Sequence, residues 1–180
     1  MLVTRSKPVE LIEFGRLSDG QYAELVGDED DPFDAAEFAL EWLPKEHHVG
    51  VRHDDGRLLA AAGLVVVDVQ FGAQPPIPVV GVGGVIVTAS HRGRGFGRQV
   101  ISEALRRAEA MGPEIALLFC RAETAGLYRR HGLAEVPGPV LVDQPDGIVE
   151  ISRTGMTMWR PLKAGARLPD GIVKVNGPPF

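Results

Sequence analysis

The chain has 180 residues, of which 44% are hydrophobic and 24% charged, and its formal net charge at pH 7 is −5. This length suits one domain with a proper core, and the acidic balance does not favour a nucleic-acid surface. The longest apolar run, Leu58–Val67, is about half of what a bilayer span needs, so no membrane contact is expected. The single cysteine, Cys120, cannot form an internal disulfide, and no targeting segment follows the N-terminus. We therefore expect a cytoplasmic protein.

Short apolar runs separated by turn signals fill the first half of the chain. Ser18 is a candidate helix N-cap, and the turn Asp54–Gly56 between two apolar runs indicates a hairpin. In chain order, these signals predict a strand at Val9–Phe14 and a helix from Ser18 to about Val26. A second helix is predicted to be capped by Asp34, to contain Phe38 and Trp42 and to end at Pro44. Strands are then predicted at His48–Arg52, Leu58–Phe71 and Val79–Val87.

An amphipathic helix dominates the second half. Apolar residues recur at helical spacing from Gly97 until Gly112 and Pro113 end the pattern. Further elements are predicted at Ile115–Cys120 (strand), Ala122–His131 (short helix), and Leu133–Val136, Val140–Val142 and Glu150–Pro161 (strands). This order predicts a mixed α/β domain, because several strands follow one another through short hairpins.

The most informative segment is the loop that precedes this helix. Its glycines permit positive φ and close backbone approach, so that amide N–H groups converge at a helix N-terminus. Its arginines add positive charge, and the segment therefore predicts a cradle for a pyrophosphate. The glycines are Gly93, Gly95 and Gly97, and the arginines are Arg92, Arg94 and Arg98.

Three kinds of phosphate loop compete for this segment. A P-loop needs Gly-Lys-Ser/Thr at the helix start, which is absent, and a dinucleotide loop needs a glycine where Arg98 stands. The third kind fits, because Arg92-x-x-Gly95-x-Gly97 resembles the coenzyme A motif of the GNAT superfamily of N-acetyltransferases. Leu127-Tyr128, followed by Gly132-Leu133, resembles a second motif of the same family at the expected distance. The resemblance covers about residues 8–160.

The resemblance implies a GNAT-like α/β fold over residues 1–162, with a mixed, mostly antiparallel central sheet flanked by about four helices. It also implies acetyl-CoA as co-substrate, transfer of the acetyl or another short acyl group to a primary amine by direct attack, and no metal. Tyr128 matches the tyrosine that protonates the leaving thiolate. The residues implied in acyl-CoA binding are Val85, Ile86, Val87, Arg92, Gly93, Arg94, Gly95, Gly97 and Arg98.

Two positions depart from the family pattern. The glutamate that many relatives use as general base falls at Gly83, and the asparagine found before the tyrosine is replaced by Arg121. Another group or a water chain must therefore deprotonate the amine, and a catalytically silent acyl-CoA-binding or regulatory module stays open as an alternative. The candidate bases are His48, His47, Asp68 and Glu123.

The acceptor side is predicted from charge. The carboxylates of Asp28, Glu29, Asp30 and Asp31 are expected to attract a small cationic amine, although a solvated acidic loop is equally consistent with them. The C-terminal third, with Asp146–Glu150, Met156–Trp159 and the ending Gly-Pro-Pro-Phe180, loosely resembles aminoglycoside 2′-N-acetyltransferases, whose base glutamate is absent here. The Pro/Gly-rich tail, Lys163–Phe180, is expected to pack on the same domain and shape the acceptor side, with an edge strand or a homodimer contact burying its apolar residues.

Overall fold

The computed structural model describes residues 9–29, 39–151 and 156–180. Within these ranges, one sheet of ten strands carries three α-helices. The strands are β1 (Val9–Phe14), β2 (His47–His53), β3 (Leu58–Phe71), β4 (Ile77–Val87), β5 (Ile115–Cys120), β6 (Ala134–Glu135), β7 (Val140–Gln144), β8 (Gly147–Glu150), β9 (Met156–Pro161) and β10 (Val173–Val175), and the helices are α1 (Asp19–Val26), α2 (Phe96–Glu109) and α3 (Ala125–Arg129).

The sheet is mixed. Its strand order is β6-β9-β5-β4-β3-β10-β7-β8, with β2 also paired to β3 and β1 paired to β2. Strands β4 and β5 pair in parallel, as do β7 and β10, while the other pairs are antiparallel. The expectation of a mostly antiparallel sheet with about four helices is therefore corrected to a mixed sheet with three α-helices in the described ranges.

The missing helix is the one predicted from Asp34 to Pro44. Asp34 and Phe38 lie outside the described residues, and residues 39–46 contain no helix. Trp42 and Leu43 instead pack against a core cluster of the sheet, and the Leu43 amide donates to the carbonyl of Pro179 at 2.7 Å. The apolar side chains of this segment are thus buried by an irregular chain that follows the sheet, and helical periodicity was the wrong interpretation.

Alternate side chains of the central strands point to opposite faces of the sheet. Leu64, Val82 and Leu118 belong to the core cluster that includes α2 and α3, whereas Val65 and Leu117 belong to the cluster that includes Phe180. A third cluster joins α1 to Leu58, Ala61 and Ile86. The sheet is therefore covered by α2 and α3 on one face, and by α1, the segment near Trp42 and the tail on the other.

Helix α1 begins as its sequence predicts. The Ser18 hydroxyl accepts from the Gln21 amide at 3.1 Å, and the Gln21 side chain accepts from the Ser18 amide at 2.9 Å. This reciprocal capping satisfies two amides that the helix itself leaves without partners. None of the helices in the described ranges is long and apolar enough to cross a bilayer.

The tail contributes a strand to the interior of the sheet. Strand β10 pairs antiparallel with β3 and parallel with β7, and its Val173 and Val175 are fully buried. The edge strand expected for this segment is therefore an internal strand, because β3 extends beyond β2 and offers free backbone groups there. The strand predicted over Glu150–Pro161 is also corrected: β8 ends at Glu150 in a hairpin with β7, and β9 pairs with β5.

Candidate functional site

Strands β4 and β5 diverge from each other near the middle of the sheet. They pair only where Val80–Val82 lies beside Ala116–Leu118, so residues 83–87 of β4 have no strand partner on that side among the described residues. The register with β3 shifts between Ala61 and Gly63, and Gly84 has a φ of 57°. A bulge at Gly84 thus bends β4 away from β5 and leaves a row of its backbone amides and carbonyls open to an extended ligand.

The glycine-rich loop lies directly beyond this open edge. A short 3₁₀ turn, Ala89–His91, leads into it, and Gly95 is the N-cap of α2 in the left-handed conformation with a φ of 88°. Gly93 also has a positive φ, of 75°, whereas Gly97 lies in the first helical turn, where the expected positive φ is not needed. The first amides of α2 have no carbonyl partner within the helix, so they present donors and the positive end of the dipole to an anion.

Arg92 holds the loop against the segment that follows α1. Its guanidinium donates two hydrogen bonds to the carboxylate of Glu29, at 2.8 and 2.6 Å, and its Nε donates to the carbonyl of Val87 at 3.2 Å. Arg94 and Arg98 are exposed beside it. Of the acidic residues predicted to bind the acceptor, Glu29 is thus engaged by Arg92, Asp28 is exposed, and Asp30 and Asp31 lie outside the described ranges.

Tyr128 lies on α3, directly after β5. Its side chain is buried in the core cluster against which Val85, Val87 and Cys120 also pack. Burial, with a smaller contribution from Cys120, raises the pKa of its phenol well above the usual range. The phenol therefore keeps its proton at neutral pH and is suited to donate it to a leaving anion.

A pocket of about 470 Å³ opens on the opposite face of β4. Ile86 and Gly84 contribute to its wall, whereas their neighbours Val85 and Val87 face the cluster of Tyr128. The bulge at Gly84 thus belongs both to this pocket and to the open edge of β4. The lining residues are Arg16, Leu17, Tyr22, Pro44, Lys45, His48, Gly84 and Ile86.

His48 is the one candidate base that lines this pocket. Its Nδ1 lies 2.7 Å from the carbonyl of Gly15, and its ring stacks on Phe14 at a centroid distance of 5.3 Å. A carbonyl only accepts, so Nδ1 carries the proton and Nε2 has a free lone pair in the neutral ring. Burial is the largest cause that lowers the pKa of His48, and the nearby charge of Lys45 adds to it.

The other candidate bases lie elsewhere. His47 is exposed on β2, Asp68 is exposed where β3 pairs with the start of β4, and Glu123 is exposed before α3. None of these three is among the residues that line the pocket. Among the described residues, the group that could hold a metal ion is His53, Asp54 and Asp55, which forms the turn between β2 and β3.

The comparisons with known proteins agree with this geometry. A family model described as the acetyltransferase (GNAT) domain matches residues 21–136, which is more than half of the chain. The chain belongs to the GNAT acetyltransferase family. Glucosamine 6-phosphate N-acetyltransferase 1 of Oryza sativa subsp. japonica is 32% identical to it over 136 residues, which cover 73% of this chain and 81% of that protein.

Two solved GNAT structures show the same fold. The GNAT family N-acetyltransferase YhbS of Escherichia coli, crystallised with CoA, has a TM-score of 0.64 at 16% identity and covers 98% of this chain and 94% of its own. A GNAT acetyltransferase of Brucella melitensis, crystallised with acetyl-CoA, has a TM-score of 0.55 at 18% identity and covers 93% and 96%. The relatives described here support the GNAT family and give no support to the looser likeness to aminoglycoside 2′-N-acetyltransferases.

Lys45 is the residue of this GNAT site that sequence reasoning missed. Its stem crosses two glycines of adjacent strands: a methyl group built onto Gly63 would lie 2.5 Å from Cγ of Lys45, and one on Gly83 would lie 3.0 Å from Cε. A methyl on Gly84 would lie 3.9 Å from Nζ. The place of the family's glutamate is thus taken by the lysine stem and by the backbone carbonyl of Phe180. The glycines that face each other at 63 and 83 were the available signal for a crossing side chain.

Proposed function

We propose that this chain is an N-acetyltransferase that moves an acetyl, or another short acyl, group from acyl-CoA to a small primary amine in a ternary complex. The observation that carries the proposal is the bulge at Gly84, which joins the open edge of β4 to a pocket on the other face of the strand. A coenzyme along the edge and an amine in the pocket would meet there. Family membership and the CoA-bound neighbours support acetyl-CoA as the donor.

The open edge and the loop suit the two halves of the coenzyme. Backbone groups of Val85–Val87 would pair with the pantetheine amides as an added strand does, and an amide near Val85 would face the thioester oxygen. The loop amides and the first turn of α2 would bind the pyrophosphate, together with the side chains of Arg94 and Arg98. Arg92 would position the loop through Glu29 as well as supply charge.

The chemistry needs no covalent enzyme intermediate. The amine lone pair attacks the thioester carbon, the C–N bond forms, and the C–S bond breaks as the tetrahedral intermediate collapses. A general base takes the proton that the amine loses, and Tyr128 donates its own proton to the departing thiolate. The base then releases its proton to solvent and the tyrosine takes one up, so the products are an amide and free CoA. Proton transfers by positioned groups contribute about 10²- to 10⁴-fold each.

For the general base we propose His48. His48 lines the pocket, and its Nε2 would lie 3.0 Å from a methyl group built onto Gly63. Gly63 pairs with Gly83 across β3 and β4, so Nε2 is near the place of the missing glutamate. The bond to Gly15 and the stacking on Phe14 fix both the tautomer and the ring orientation. A neutral imidazole at this point would act next to the position that a glutamate occupies in many relatives. We also propose a cytoplasmic location, in keeping with the free Cys120.

Coenzyme binding is the first test. Gly95→Asp should weaken acetyl-CoA binding at least tenfold in calorimetry, because a carboxylate would face the phosphates, whereas Gly95→Asn, which tolerates the same backbone conformation, should bind more tightly than the aspartate variant. Gly138→Asp is the matched control, since Gly138 has a similar φ of 83° and open surroundings away from the loop. Equal affinity in all three folded variants would remove the coenzyme assignment.

Turnover separates an enzyme from a silent acyl-CoA-binding module. The silent module is the alternative because position 83 has no side-chain carboxylate to act as the base. We expect CoA release from acetyl-CoA above a no-amine control with a panel that includes ethanolamine, O-phosphoethanolamine, β-alanine, β-alaninamide, glucosamine and glucosamine 6-phosphate. The last compound is included because the rice relative is named for it. Tight acetyl-CoA binding without release for any amine would favour the silent module.

A further inference from the structure

The pocket beside Gly84, proposed to hold the acceptor, is lined by cationic groups and by no Asp or Glu among the described residues. Arg16, Lys45 and His48 contribute to its lining. Arg16 contacts the carboxylate of Glu46 at 3.8 Å, and both side chains remain largely exposed. An exposed pair at that distance contributes little, so Glu46 offsets little of the charge of Arg16.

Lys45 is the group in this pocket that lacks a partner. Its side chain is partly buried, and no ion pair or hydrogen bond to its Nζ occurs within the described parts of the chain. Burial lowers its pKa to about 8, so the ammonium form still predominates at neutral pH. A desolvated and unpaired charge is costly in a folded protein, and it persists where a ligand of opposite charge completes the site.

The two strands beneath Lys45 are shaped to admit it. A methyl group at Gly63 would lie 2.5 Å from Cγ of its stem, and one at Gly83 would lie 3.0 Å from both its Cε and the carbonyl oxygen of Phe180. The two glycines therefore leave room for Nζ to reach the bulge at Gly84. The same bulge is where, under the proposed function, the amine meets the thioester. A cation next to the reacting amine would raise the amine's acidity and repel a second positive charge, so it is not suited to a simple cationic acceptor.

We infer that Lys45, together with Arg16, binds an anionic group of the acceptor, which is therefore an amine that also carries a phosphate or a carboxylate. This inference rests on the proposed function and deepens it. It runs against the sequence-based expectation that the acidic residues after α1 attract a cationic acceptor. One of those residues, Glu29, is already paired with Arg92. Phosphates and carboxylates both present negatively charged oxygens to a lysine or an arginine. Amines that bear one or the other are therefore tested separately.

The test compares matched amines with wild type and Lys45→Met. Ethanolamine is set against O-phosphoethanolamine, and β-alaninamide against β-alanine, at constant ionic strength. We expect kcat/KM to favour the anionic member of at least one pair by about 10- to 100-fold, the range for a charged hydrogen bond, and Lys45→Met to abolish that preference. Lys45→Arg should retain the preference. The control is Lys163→Met, because Lys163 donates a hydrogen bond to the carbonyl of Glu109 at the end of α2 and does not line the pocket, and this variant should leave the preference unchanged.

Binding of inorganic phosphate gives a readout that does not require turnover. Lys45→Met keeps the stem over Gly63 and removes the charge, so we expect it to fold at least as stably as wild type. Millimolar phosphate, against the same ionic strength of sodium chloride, should raise the melting temperature of wild type and of Lys163→Met but not of Lys45→Met. An equal response of all three proteins, or equal kcat/KM for neutral and anionic amines, would overturn the inference. Failure of every amine with an intact phosphate response would count against the proposed function alone.

Discussion

At the scale of single residues, burial determines what each titratable group of the site does. Tyr128 and His48 lie on opposite faces of the sheet, and each is forced by desolvation toward its neutral form. For a phenol, the neutral form is the proton donor, and for an imidazole, it is the proton acceptor. The two groups are therefore complementary in an acyl transfer that must remove a proton from an amine and supply one to a thiolate.

Tyr128→Phe tests the donor. The phenyl ring fills the same buried space, so folding and acetyl-CoA affinity should be unchanged, while kcat should fall about 100-fold or more because the thiolate would leave unprotonated. Steady-state kinetics and calorimetry on the same preparation separate the two quantities. Activity within twofold of wild type would return Tyr128 to a packing role.

His48→Asn tests the base. The asparagine amide can still donate to the carbonyl of Gly15, but it has no basic nitrogen toward the pocket. The pKa of His48 lies below its ordinary value of 6.5, so wild-type kcat/KM should fall as the pH drops through that lowered pKa and the ring gains a proton. The variant should lose about 10²-fold or more at pH 7, together with this acidic limb.

The matched control is His47→Asn, because His47 is the exposed neighbour on the same strand. It should retain both the rate and the pH profile. Lys45, His47, Arg16 and Tyr22 are charged or titratable groups near His48 among the described residues. The profile should also be measured in Lys45→Met, where removal of the adjacent charge should move the limb to higher pH. A pH profile that is identical in wild type and His48→Asn would exclude His48 as the base.

At the scale of elements, the glycines of β4 make room for the segments that cross the strand. Gly83 gives room to Lys45 and the backbone of Phe180, and Gly84 forms the bulge. Gly81 lies under the ring of Phe180, where a methyl group would come within 2.6 Å of Cδ2. The Phe180 ring is buried and packs on Phe119 at a centroid distance of 4.8 Å. Strand β4 is therefore shaped by the segments that cross it as much as by its own pairing.

A double-mutant cycle between β4 and the tail tests this dependence. Gly81→Ala should lower the free energy of unfolding by about 1–3 kcal/mol through overpacking, and Phe180→Ala by about 3–5 kcal/mol through loss of the buried ring. In the double variant the alanine methyl occupies part of the vacated space, so the combined loss should be smaller than the sum by about 1 kcal/mol or more. Urea denaturation gives all four values.

Gly126→Ala is the control for this cycle, because Gly126 lies in α3 with open space around it. Its effect should add to that of Phe180→Ala without coupling. Additivity of Gly81→Ala and Phe180→Ala would contradict the contact between the tail and β4.

At the scale of the whole molecule, the sequence predicted what depends on local signals. The capped α1, the strands β1, β3 and β5, and the loop before α2 were predictable because a cap, an apolar run or a glycine pattern specifies each within a few residues. Two features depend on contacts between distant segments and were not predicted. The chain at Trp42 is irregular because it is held by Pro179, and Lys45 is seen as part of the site only once β3 and β4 are side by side.

The placement of β10 has a consequence for how the protein is made. Strand β10 is the last strand of the described chain, yet it lies between β3 and β7, which a ribosome completes earlier. Until residues 173–175 leave the exit tunnel, the end of β3 at Val69–Phe71 has an open edge that can pair with another nascent chain. A premature stop codon before β10 would make that edge permanent. Insertion of β10 therefore covers this edge, and shortened products that lack it should be substrates for chaperones and proteases.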